Sequence, residues 1–194
     1  MKRLVDQAQD FVRAVVQPGE VVIDATAGGG RDTLFLAQLV GPAGVVHAFD
    51  VQAVAIAETE ARLQQAGIAN VTLHQHSHAE LLAVLPTELV GQVATVMFNL
   101  GYLPGGDEQL VTQVDSTLAA LHATVTLLRP QGILSVLAYR GHPGGLEEAA
   151  AVQRWMADCA DLTAPLIFAG ATHDSPLLVC AQRQPVPNRL PTRI

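Results

Sequence analysis

Two stretches of this chain combine residue types that could do chemistry together. In Val21-Val22-Ile23-Asp24-Ala25-Thr26-Ala27-Gly28-Gly29-Gly30 an apolar run ends in a carboxylate, breaks into glycines and restarts as a helix at Arg31-Asp32-Thr33. A second apolar run, residues 44–49, ends in Asp50. Glycines let a backbone approach a ligand closely, and an acid at a strand end accepts hydrogen bonds from ribose hydroxyls, so the pairing reads as a nucleoside site. The second stretch, Asn99-Leu100-Gly101-Tyr102-Leu103-Pro104-Gly105-Gly106-Asp107, follows another apolar run. An Asn side-chain carbonyl and the backbone carbonyl after it can accept the hydrogens of an amine and aim its lone pair, while a Tyr can stack on a planar base.

The order of residues narrows the ligand. A nicotinamide-binding turn needs G-x-G-x-x-G directly after the first strand, and a phosphate loop needs Lys-Ser/Thr after its glycines; neither pattern is present. Asp24 would repel a pyrophosphate but suits a cationic ligand end, such as the sulfonium and amino group of S-adenosylmethionine. A glycine-rich structural turn is the bland alternative, and the succession acid, turn, helix, strand, acid favours the cofactor over it. Asp32 taken alone reads as an acid that the helix dipole favours. An aliphatic amine is largely protonated at neutral pH and must lose a proton before it attacks, and His78 and His142 are the candidates to take it. Arg140 and His142 share a loop on the same sheet edge and read as substrate or RNA contacts.

The elements that must position these residues follow from punctuation and period. Apolar residues at helical spacing over 4–16 stop before Pro18-Gly19, and strands then alternate with helices. Strands are expected at 20–24, 45–50, 71–75, 92–98 and 132–139, with helices at 32–40, 53–66, 78–85, 108–128 and 146–159. Such alternation argues for βαβ units in a parallel sheet, and the closely spaced strands 163–169 and 177–182 for an antiparallel hairpin at its edge. The expectation is one domain over 1–194, with an N-terminal helical segment (1–19) and a Pro- and Arg-rich tail (185–194). Trp155, at helical spacing with Val152 and Cys159, reads as core.

Composition excludes several classes. A net charge of −7 is not that of a protein that coats nucleic acid, though it leaves room for a small basic mouth. No apolar run reaches the roughly 18 residues of a membrane span, and the N-terminus lacks a signal-peptide core, which points to the cytoplasm. The two cysteines, Cys159 and Cys180, lie in apolar segments without metal-ligand spacing, so no metal is expected.

The acid-led glycine turn resembles motif I of class I, Rossmann-like methyltransferases, and Asn99-Leu100-Gly101-Tyr102 resembles the Asn-Pro-Pro-Tyr tetrad of amino-group methyltransferases, without its prolines. More specifically, Asp24-Ala25-Thr26-Ala27-Gly28, residues 32–37 and 49–52, Ser77-His78, residues 98–107 and Tyr139-Arg140-Gly141-His142 together resemble one family. It was long labelled as rRNA methylases and is associated with methylation of 5-aminomethyl-2-thiouridine at the tRNA wobble position. The resemblance runs from about Val21 to Gln182; where Gly29 stands the family often carries Asn or another polar residue.

That resemblance implies an α/β fold, the Rossmann-like class I methyltransferase: a mostly parallel seven-stranded sheet with helices on both faces and a C-terminal antiparallel hairpin. It implies S-adenosylmethionine held by Asp24, Ala25, Thr26, Gly28, Gly30, Asp32, Thr33, Asp50, Gln52, Ser77, His78 and Asn99. The substrate side falls to Leu100, Gly101, Tyr102, Asp107, Tyr139, Arg140 and His142, with Asn99, Tyr102 and His142 doing the chemistry. The implied partner is the anticodon loop of tRNA, met by a monomer or homodimer; a single-stranded wobble base needs no large duplex-binding surface. A methyltransferase of rRNA or of a small-molecule amine, or a non-catalytic cofactor-binding module, are the alternatives.

Overall fold

The fourth strand of the chain, β4 (Val93–Leu100), is buried at every position except Asn99, which is half-buried. A strand buried on both faces must lie inside a sheet covered on both sides. The computed structural model, which describes residues 2–107 and 109–185, places it there. The strands are β1 (Val21–Asp24), β2 (Val45–Phe49), β3 (Val71–His74), β4, β5 (Leu128–Ala138), β6 (Leu166–Ala169) and β7 (Leu177–Gln182), in the order β3-β2-β1-β4-β5-β7-β6. Strands β1 to β5 run parallel, and β7 pairs antiparallel with both β5 and β6. The chain's progress across the sheet reverses between β1 and β4, and beyond the carboxyl ends of strands at such a switch point open α/β sheets bind ligands.

Alternate residues of the strands feed two cores. Val22, Val46, Met97, Leu137 and Leu178 pack against α1 (Leu4–Val15) and α2 (Arg31–Val40) through Val12, Leu36 and Val40. On the opposite face, Ile23, Phe49, Phe98, Leu134, Val136 and Val179 meet α4 (Leu81–Val84), α5 (Val114–Leu127) and α6 (Gly145–Asp158) through Leu81, Leu121, Val152 and Met156. Helix α3 (Ala53–Gln65) joins β2 to β3. Trp155 is partly buried against the second core; Cys180 is buried and Cys159 half-buried, both as free thiols.

Several boundaries differ from the sequence expectation, three of them for a tertiary reason. Strand β4 continues to Leu100 because Asn99 and Leu100 pair with Leu137 and Ala138, so the Asn lies on the rigid strand rather than in the loop. The helix expected from 108 starts only at Val114. Before it, Tyr102 bridges to Val111 and Thr112 donates its N–H to the Gly101 carbonyl at 2.9 Å, folding this segment back on the strand end. Strand β5 starts at Leu128, ahead of Pro130, because a register shift opposite Val93–Thr95 accommodates residues 129–132, including Gln131 at φ +63°. The expected helix at 78–85 is a 3-10 turn, His78–Glu80, followed by the short α4.

Among the described residues no helix is long and apolar enough to cross a membrane, and no group of three or more His, Cys, Asp or Glu could hold a metal ion. Arg183 is paired with Asp161, whereas Arg189 and Arg193 of the Arg-rich tail lie outside the described residues.

Candidate active site

Asp24 closes β1 and is fully buried. Its carboxylate accepts the Thr33 hydroxyl at 2.6 Å and the Thr26 N–H at 3.2 Å. Burial first, and then the nearby Asp32 charge, push its carboxyl up to about 7. The turn that follows is laced to neighbouring strands: the Ala25 N–H donates to the Met97 carbonyl and the Ala27 N–H to the Phe49 carbonyl. Gly28 and Gly30 take left-handed φ values of +52° and +75°, which bring the turn back toward β2. There the Gly28 N–H donates to Asp50 Oδ2 and the Gln52 N–H to Oδ1, both at 2.9 Å. A carboxylate has about four lone-pair positions, so Asp50 keeps two free.

Gly30 is the tightest point of this turn. A Cβ there would lie 2.8 Å from Thr59 Oγ1 and 2.9 Å from Thr59 Cα of α3, on a backbone that side chains rarely adopt. Gly30→Ala is expected to destabilise the fold by about 1–3 kcal/mol, read as a lower midpoint in denaturant titration. At Gly29 a Cβ would make only an ordinary 3.6 Å contact with Glu58, so a side chain has room there.

Asn99 sits at the carboxyl end of β4, beside this turn. Its N–H donates to Thr26 Oγ1 at 2.6 Å, and its side-chain Nδ2 donates to Asp32 Oδ2 at 2.8 Å. The other Asp32 oxygen accepts Gln9 Nε2 of α1 at 2.8 Å. Because a carboxylate only accepts, the Asn99 amide nitrogen faces Asp32 and its Oδ1 faces the cleft. The Leu100 carbonyl, the second expected acceptor for an amine, already receives the Tyr139 N–H at 2.9 Å and has one lone pair left. Gly101 allows close approach of what lies above it: a Cβ there would be 3.3 Å from Tyr139 Cβ and 3.7 Å from His142 Nε2.

The chain's two tyrosines, Tyr102 and Tyr139, are both 41% exposed at this mouth. The Tyr102 ring stands perpendicular to His142 with centroids 6.1 Å apart. Burial, followed by the Asp32 charge, holds the Tyr139 hydroxyl above its ordinary range. His142 Nδ1 lies 3.0 Å from the Pro143 carbonyl, which only accepts, so Nδ1 carries a hydrogen. His142 Nε2 is buried without a hydrogen-bond partner.

Residues 46–180 match the model of a protein family described as "Putative rRNA methylase". The chain belongs to this family. It is 39% identical over 161 residues to the "tRNA (mnm(5)s(2)U34)-methyltransferase, chloroplastic" of Arabidopsis thaliana, across 78% of this chain and 58% of that protein. The chain thus matches little more than half the length of that relative. A crystal structure from Clostridium thermocellum with the same rRNA-methylase description is 34% identical and superposes with a TM-score of 0.88, covering 94% of this chain and 98% of the other. A "putative methyltransferase" from Streptococcus mutans, in complex with SAH, is 30% identical with a TM-score of 0.83, covering 94% and 99%. The architecture is that of the class I methyltransferases.

Within this methylase fold the structure gathers Asp24, Asp32, Thr33, Asp50, Asn99, Tyr102, Tyr139 and His142 around the carboxyl ends of β1, β4 and β5. Others have different work. Gln52 is buried and turned toward the backbone of Asp107, accepting its N–H at 3.1 Å, so it ties two loops together. Asp107 itself caps the Gln109 N–H locally. The Ser77 hydroxyl accepts the Ala79 N–H in a capping box with Glu80. His78 is buried edge-on against Phe98, and burial pushes its imidazole down to about 4; neutral and closed off, it brings no base to the mouth. The Arg140 guanidinium donates to the Ser175 and Thr172 carbonyls, bracing the β6–β7 loop instead of reaching outward as expected.

Four contributors were not found from the sequence. Gln9 acts through Asp32, as described. Thr112 accepts the Gly101 N–H and donates to Glu148 at 2.6 Å, while Thr117 donates to the other Glu148 oxygen at 2.7 Å. Glu148 is 2% exposed, and a buried carboxylate on an otherwise apolar helix face was the one available hint.

Proposed function

We propose that this chain is an S-adenosylmethionine-dependent N-methyltransferase that methylates the 5-aminomethyl group of (2-thio)uridine at the tRNA wobble position, giving 5-methylaminomethyl-2-thiouridine. The observation that carries the reading is the Asn99 amide, turned by Asp32 so that an acceptor oxygen faces the cleft beside the acid-led glycine turn. The chloroplast relative's name supports this acceptor, and the SAH complex of the Streptococcus mutans relative supports the cofactor. A cytoplasmic location is our reading of this sequence, whereas the Arabidopsis relative is chloroplastic.

The residues present fit such a cofactor. Asp24 and Asp32 supply negative charge for a cationic end, Asp50 retains acceptor positions for a ribose, and the Gly28–Gly30 turn presents bare backbone. When bound, S-adenosylmethionine supplies an electrophilic methyl group on its sulfonium. Asn99 Oδ1 and the free lone pair of the Leu100 carbonyl accept the hydrogens of the incoming amine, which aims its lone pair. Tyr102 and Tyr139 offer exposed faces on which a splayed-out base stacks. His142, edge-on to Tyr102 at this mouth, is the residue we assign to take the proton.

Asp24 makes cofactor binding depend on pH. Its folded pKa, raised from 3.8 to about 7, means that its neutral form stabilises the empty fold, a contribution that is complete below 3.8 and lost as pH rises through about 7. A cationic ligand favours the ionised form, so binding expels this proton. Cofactor affinity is expected to strengthen between roughly pH 5.5 and 7, by up to about tenfold per pH unit, and Asp24→Asn should flatten the profile in calorimetric titration.

The functional reading is tested by transfer of labelled methyl into tRNA carrying 5-aminomethyl-2-thiouridine against unmodified transcript. Label in the first alone supports the reading. Cofactor binding without label in either moves the acceptor to rRNA, to a small-molecule amine or to none.

A further inference from the structure

We infer that Gln9 and Asp32 form a positioning pair that fixes the hydrogen-bonding sense of the Asn99 amide, so that helix α1 takes part in methyl transfer without touching either substrate. The inference rests on the amine-acceptor reading above. An isolated Asn amide can present either its oxygen or its NH2 group to a cleft, and only the oxygen can receive an amine's hydrogen. Asp32 removes the choice, since both its oxygens need donors: Gln9 Nε2 satisfies Oδ1 and Asn99 Nδ2 satisfies Oδ2, each at 2.8 Å. Hydrogen bonds to a charged acceptor are among the stronger ones, and the first turn of α2 favours the charge. Asp32 is only 7% exposed, so water does not readily replace either partner. Gln9 is anchored by its helical neighbours Ala8 and Val12, both buried against the sheet.

The test exploits the sense of each bond. In Asp32→Asn the new amide accepts one bond and donates one, so it can donate to Asn99 and turn the Asn99 NH2 toward the substrate. Turnover at saturating cofactor should fall about 100-fold, whatever the lost Asp32 charge costs in cofactor affinity. Gln9→Glu alone sets two carboxylates face to face and should cost about tenfold in turnover. In the double variant Gln9→Glu/Asp32→Asn, the carboxylate introduced on α1 can only accept. The amide introduced on α2 must then donate to it and turn its own oxygen back to Asn99. Turnover should recover at least about tenfold over Asp32→Asn, an interaction that independent sites do not give.

The Asn99 side-chain amide signals in a nitrogen–proton NMR spectrum, assigned by their loss in Asn99→Ala, report the same sense without any substrate. They should move or split in Asp32→Asn and return to one set in the double variant. Wild-type turnover in Asp32→Asn, or a double variant no better than that single one, overturns the pair. If Asp32→Asn fails to fold, Gln9→Ala should still lower turnover about threefold and shift the Asn99 amide signals; no change in either overturns it. Should the wild-type protein methylate no aminomethyl-bearing tRNA, the functional reading fails, while the amide signals still decide the pair.

Discussion

Asn99→Ala is expected to lower turnover on aminomethyl-bearing tRNA by about 100- to 1,000-fold, the loss typical of removing one preorganised polar group at a reacting centre. The Asn99 backbone N–H, which holds Thr26 Oγ1 at 2.6 Å, survives the substitution, so the glycine turn keeps its place and cofactor affinity should change little. Asn99→Asp should be at least as damaging, because it sets a second carboxylate against Asp32 where the amide now donates at 2.8 Å. Single-turnover kinetics at saturating cofactor separate the two effects. Loss of the chemical step with intact binding is the expected pattern, and unchanged turnover would remove the proposed amine clamp.

Asp50→Ala should act on the other half of the reaction, raising the cofactor dissociation constant by about 100-fold. It removes the acceptor for ribose hydroxyls and also leaves the Gly28 and Gln52 N–H groups without the partner they hold at 2.9 Å. Losing hydrogen bonds to a charged group costs about 1.5–3 kcal/mol each, which sets the scale. Asp50→Asn keeps one acceptor oxygen and should fall between the two. Isothermal titration with cofactor checks this, and turnover of Asp50→Ala at saturating cofactor should stay within about tenfold of wild type.

What was legible in the sequence was local. A carboxylate ending an apolar run, glycines after it and an acid ending the next strand are all neighbours in the chain, and Asp24, Gly28, Gly30 and Asp50 form one corner. Asn99 was also legible, as the polar residue that follows an apolar run, although its place on β4 itself was not. Partners supplied by distant elements were not. The Asp32 side chain read as a helix-start acid, and its role as a bridge appears only when α1 folds across the sheet and delivers Gln9. Glu148 likewise acquires meaning from Thr112 and Thr117, more than 30 residues away. Arg140 and His78 show the opposite failure. Chain position placed both at the mouth, yet loop carbonyls claim the guanidinium and Phe98 helps enclose the imidazole. The helix expected from 108 starts late because the bonds between Gly101 and Thr112 outweigh local helical preference.

The central claim is that the methyl group goes to the exocyclic nitrogen of the wobble aminomethyl group. The measurement that meets it most directly is mass spectrometry of nucleosides digested from tRNA bearing 5-aminomethyl-2-thiouridine, after reaction with methyl-labelled cofactor. Conversion of that nucleoside to 5-methylaminomethyl-2-thiouridine, with the label lost in the side-chain amine fragment and abolished by Asn99→Ala, is the predicted result. Label retained on the ribose or on a ring atom, or found in a different nucleoside, would contradict it.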